Sequence, residues 1–126
     1  MAVFLVCAGL LGLLAVALTI HVGRIRTKKR ISLGDGGDPD MIAAIRAHGN
    51  LLEMTPLILI LLWMMHGPLG HRLADILVII LVIARFLHAG GMLGLMPYGR
   101  PAGAIATTAV LAVAAVSLIV AGLRAF

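Results

Sequence analysis

From Ala2 to Ile20 this chain carries no charged side chain, and three further long apolar runs follow it. A run of about 20 apolar residues matches the roughly 30 Å hydrocarbon core of a bilayer. There every backbone N–H and C=O must be satisfied within the segment, which dictates helices. At 62% hydrophobic and 12% charged, with mean hydropathy +1.14, the composition excludes an ordinary soluble domain. The formal charge of +5 could point to nucleic acid. Half of the basic residues, however, are Arg24, Arg26, Lys28, Lys29 and Arg30, one cluster directly after the first apolar run. Topology explains that cluster and leaves nucleic acid without a role, because basic loops stay on the cytoplasmic side.

The expectation is an all-α integral membrane four-helix bundle, one domain over residues 1–126, with helices at about 2–23, 39–66, 71–92 and 101–124. The first run lacks a basic start and is long for a signal peptide, so it reads as a retained helix. With the 21–38 and 93–100 loops cytoplasmic, both termini are expected in the periplasm. A lone cysteine, Cys7, offers no internal disulfide.

The most informative stretch is RAHGNLLEMTP, Arg46 to Pro56. At about 100° per residue, Asn50 lies about 40° round from Arg46 and Glu53 about 20° the other way, so the three share one stripe. Ionisable groups inside a membrane face a bundle interior or a watery cavity and usually find a partner. The Gly67-Pro68-Leu69-Gly70 joint makes the second and third helices an antiparallel hairpin turning near Leu69. Glu53 and Arg85 are equidistant from that turn, as are Asn50 and His88. Equal depth predicts an ion pair between Glu53 and Arg85, with Asn50 and His88 meeting one turn nearer the cytoplasm.

Elsewhere the residues have plainer readings. The GDGGDPD segment lacks the ligand spacing and closing glutamate of a calcium loop, and no metal site is expected. Asp38 instead suits a helix N-cap, with Pro39 at the first helical position. Pro56 is expected to kink the second helix. His48 points away from the polar stripe toward the interface, and Trp63 and His66 anchor the far surface. Arg72 and Asp75 form a solvated pair of little weight. On the last helix Ala102, Ala106, Ala112 and the Ala114-Ala115 pair favour close helix approach. Tyr98 and Arg100 share the cytoplasmic side with the basic loop.

The R-x-x-x-N-x-x-E-x-x-P core at Arg46, Asn50, Glu53 and Pro56, the later Arg85-x-x-His88 and the four-helix layout resemble the membrane-associated proteins in eicosanoid and glutathione metabolism, the MAPEG family, in its short bacterial form. The resemblance implies a homotrimer in the inner membrane that binds glutathione between protomers near the cytoplasmic face. It further implies a transferase or peroxidase acting on lipophilic electrophiles or hydroperoxides delivered from membrane lipid. By position it implies cofactor-binding roles for Arg24, Arg46, Asn50, Glu53, Arg85, His88 and Arg100, with Arg85 and Arg46 catalytic. Gly49 stands where some relatives carry a second arginine, and Met92 where some carry a tyrosine. A non-enzymatic scaffold or lipid-binding protein of the same fold is the alternative.

Overall fold

The computed structural model describes residues 1–67 and 70–125. The hairpin centre expected at Leu69 lies outside the described residues. Four helices make up the fold: α1 (Ala2–Lys29), α2 (Pro39–Met65), α3 (His71–Met92) and α4 (Gly99–Leu123). All four are long and apolar enough to cross a membrane. Their most apolar windows have mean hydropathies of 2.7, 1.3, 2.1 and 2.4, and α2 is lowest because it carries the polar stripe.

Helix α1 runs past Gly23, where the sequence reading ended it, to Lys29. Basic side chains are good helix formers, and in a last turn they complement the negative end of the dipole. Arg30 then turns left-handed at φ 55°, and Ile31 N–H closes the turn on the Arg26 carbonyl at 3.0 Å. The next helix starts as its sequence requires. Asp38 accepts the Met41 N–H at 2.9 Å, and Pro39 occupies the first turn, where no N–H is needed. Lys29 Nζ lies 2.6 Å from both Asp38 and Asp40 carboxylates, tying the end of α1 to the start of α2. This ammonium, together with the Met41 N–H, holds the Asp38 carboxyl below its ordinary pKa.

The closest helix contact is the seam between α3 and α4. A Cβ added at Gly103 would stand 2.4 Å from the Ala84 carbonyl oxygen and 2.6 Å from His88 N, distances no real side chain could keep. Gly99, Gly103, Thr107, Val110 and Ala114 form the buried face of α4. The alanines expected to fill that role are partly misplaced: Ala102 and Ala112 are exposed, and only Ala114 is fully buried. Close approach in a membrane is driven by dispersion and backbone proximity rather than by excluding water, so glycine outranks alanine at the contact. Leu11, Leu51, Ile58, Leu62, Val78 and Leu81 fill the interior. Leu5, Val6, Leu13, Ile60, Ile83 and Ile119 form the outward surface that lipid would cover.

At the far end, His66 is buried, its Nδ1 3.0 Å from the Leu62 carbonyl and its ring edge-on to Phe4 at 5.2 Å. Asp75 does not pair with Arg72. It faces His66 Nε2 at 3.5 Å, because its side chain turns into the bundle while Arg72 remains exposed.

Candidate functional site

Arg85 is the charged residue around which the interior is built, with 1% of its surface exposed. It sits on the face of α3 that meets both α2 and α4. Its Nη2 donates to Asn50 Oδ1 at 2.7 Å and to His88 Nδ1 at 3.0 Å, and its Nη1 to Thr107 Oγ1 at 3.4 Å. Guanidinium has donors only, so His88 Nδ1 must accept; the ring is therefore the neutral tautomer with its proton on Nε2. Thr107 Oγ1 donates its own hydrogen bond to the Gly103 carbonyl at 2.7 Å, leaving its lone pairs to the arginine. Arg85 Nε has no partner among the described residues.

The expected Glu53–Arg85 ion pair is absent. Glu53 is exposed, and its carboxylate lies back over Gly49, where an added Cβ would meet Oε1 at 3.8 Å. The pairing fails through azimuth. Glu53 is about 60° round the helix from Asn50, and it is Asn50 that turns inward to α3. The stripe thus divides, with Asn50 in the buried network and Arg46 and Glu53 on the outside. Asn50 and His88 do meet at one level, through the Arg85 guanidinium between them.

Above this network, a pocket of about 420 Å³ opens where the start of α2 meets the end of α3 and the start of α4. Pro39, Ile42, Ala43, Arg46, Gly91, Met92 and Arg100 line it. Arg46 and Arg100, far apart in sequence, therefore converge on one polar mouth. Met92 is part of its wall. Arg24 is exposed on α1 and is not among the lining residues.

Sequence reasoning missed two contributors. Thr107 lies four residues beyond Gly103, a small-x-x-x-small spacing that marks a helix seam. That spacing could have placed it opposite α3. Thr19 Oγ1 lies 3.0 Å from His48 Nε2, so His48 bridges α2 to α1 rather than facing the interface alone. Nothing in the local pattern of either residue announces that bond.

Four apolar helices closed over a hydrogen-bonded arginine, with a basic mouth at one end, define a multi-pass integral membrane protein. The chain belongs to the MAPEG family, whose family model matches residues 4–120. It is similar to the inner membrane protein YecN of Escherichia coli K12, at 34% identity over 85 residues covering 67% of this chain and 65% of that protein. YecN of Escherichia coli O6:H1 matches equally. The chain thus spans just under two thirds of the length of the curated relatives it matches. Four apolar helices and these relatives identify an inner-membrane protein.

Proposed function

We propose that this protein is a glutathione-dependent transferase or peroxidase acting on lipophilic electrophiles or hydroperoxides, working as a homotrimer. The observation that carries the reading is a missing counter-ion. Arg85 is enclosed in the bilayer region with only neutral partners, Asn50, His88 and Thr107, and among the described residues no carboxylate pairs with it. A buried charge without a counter-charge is costly, and an anionic ligand held nearby offsets that cost. Family membership supplies the candidate, since glutathione carries two carboxylates and a thiol that nearby cations convert to thiolate.

In this reading the tripeptide enters the mouth between Arg46 and Arg100, whose forks suit its carboxylates. Glu53 takes its ammonium on the outward face, where a neighbouring protomer brings Arg24. Arg85 provides the positive field that favours thiolate, and Asn50 and His88 fix its guanidinium. Bound there, glutathione would supply a thiolate whose sulfur displaces the leaving group of a carbon electrophile, or cleaves a hydroperoxide O–O bond to give a sulfenic acid and an alkoxide that takes up a proton, a second glutathione then releasing water as the disulfide forms.

The alternative, a scaffold or lipid-binding protein, has its own support in the near-complete enclosure of Arg85, which equally fits a network that fixes helix register. Calorimetry of the detergent-solubilised protein with glutathione separates the two. Saturable heat that falls in Arg46→Gln and Arg100→Gln is expected; no heat would leave the scaffold.

A further inference from the structure

A second basic site lies where α1 ends. Arg26, Thr27, Arg30, Ile31 and Ser32 line a pocket of about 380 Å³ that is separate from the Arg46–Arg100 mouth. We propose that it binds the phosphodiester of an anionic phospholipid headgroup in the cytoplasmic leaflet.

Three observations converge on it. The first concerns charge. The carboxylates of the adjoining loop are engaged elsewhere: Asp38 and Asp40 hold Lys29, and Asp35 accepts the Gly37 N–H at 2.9 Å. No acidic side chain lines the pocket, so its two guanidinium groups are not neutralised there.

The second observation is that the arginines are placed by the backbone. Arg26 is half-buried and donates from one Nη to the Gly34 carbonyl at 2.8 Å, which orients the rest of its fork. Arg30 adopts φ 55°, a left-handed conformation uncommon for a residue with a side chain and usually given to glycine at a helix end. Arg30 lines the same pocket as Arg26. Ser32 adds an exposed hydroxyl able to donate to a phosphate oxygen. Ile31 packs on the loop at Gly36, where an added Cβ would lie 3.1 Å from it, so the floor of the pocket is held.

The third is depth. The charge-free residues 2–20 span roughly 28 Å at the helical rise, about the thickness of the hydrocarbon core. Arg26 and Arg30 then stand roughly 9–15 Å beyond Ile20, and their long side chains reach back into the headgroup layer. Paired forks match phosphate oxygens, and anionic leaflets attract such clusters.

Native mass spectrometry of the full chain in detergent, titrated with phosphatidylglycerol or with phosphatidylcholine of the same acyl chains, tests the site. Phosphatidylglycerol is expected to bind about tenfold more tightly, the worth of one charge-assisted pair. Arg26→Gln with Arg30→Gln should abolish that preference, and Arg30→Lys, which keeps charge and loses the fork, should reduce it. Lys28→Gln and Arg72→Gln should leave it intact. Arg30→Gln alone, at an exposed position, covers the case in which the double variant does not fold. Equal losses in Lys28→Gln would overturn the proposal in favour of diffuse attraction. Displacement of the lipid by millimolar inorganic phosphate would overturn it in favour of a free-anion site.

Discussion

Replacing Asn50 and Arg85 in a double-mutant cycle measures the contact on which the interior network rests. Interhelical hydrogen bonds in membrane proteins average about 0.6 kcal/mol and reach about 1.7. The Arg85–Asn50 bond, charged on one side and 2.7 Å long, belongs at the upper end. Asn50→Leu removes an acceptor from a guanidinium that has no counter-ion among the described residues, so it should destabilise by about 1–2 kcal/mol. Arg85→Met has two opposed consequences. It strands three acceptors, Asn50 Oδ1, His88 Nδ1 and Thr107 Oγ1, but it removes a buried charge whose desolvation costs several kcal/mol. The single change should therefore cost less than the loss of three bonds suggests. The coupling between Asn50 and Arg85 should be about 1–1.5 kcal/mol, read from unfolding in mixed micelles. Glu53→Gln, at an exposed site, should shift stability by under about 0.5 kcal/mol and show no coupling to Arg85. A Glu53–Arg85 coupling above about 1 kcal/mol, with none for Asn50, would refute the division of the stripe into an inward and an outward half.

Other measurements probe different parts of the molecule. Gly103→Ala should cost about 1–3 kcal/mol by forcing α3 and α4 apart, whereas Gly12→Ala, with nothing within 4 Å of its new methyl, should be tolerated. The depressed Asp38 carboxyl contributes stability that is present above its unfolded pKa, about 3.9, and is lost as pH falls through the lower folded value. The stability gap between wild type and Asp38→Asn should accordingly be constant from about pH 5 to 7 and close below about 4. Gly36→Cys and Gly70→Cys in a Cys7→Ala background should label from opposite faces, with Gly36→Cys protected in intact spheroplasts; labelling there would invert the topology. Native mass spectrometry should give a trimer, and a monomer that binds glutathione would remove the inter-protomer site.

Hydrophobic run length alone made the four spans legible, because a bilayer permits little besides helices of that length. The N-cap at Asp38 and the start at Pro39 were equally local and equally readable. What escaped was rotation about helix axes. Counting from a turn can relate residues only by depth, and which side chain meets the arginine depends on how α2 is turned. Contacts such as the glycine seam that draws α4 onto α3 and the Thr19–His48 bridge that ties α1 to α2 are made between helices and are not written in any one of them. Gly103 and Thr19 lie far from Glu53 in sequence, and His48, although near it, shows its bond to Thr19 only once the helices are packed. The convergence of Arg46 and Arg100 was implied only through the family resemblance, since it joins three helix ends that no single-helix pattern relates.

The buried network also bears on how the chain enters the membrane in the first place. Alone at mid-helix, an arginine carries an insertion cost of about 2.5–3.5 kcal/mol, and α3 must carry Arg85 into the bilayer. Asn50 is already available on α2, made earlier, while Thr107 arrives only with α4. Gly99 and Gly103 let α4 lie directly against the backbone of α3. Thr107 on α4 therefore brings a further acceptor to a guanidinium that Asn50 and His88 already engage, so the burial of Arg85 in α3 depends on the helix made after it.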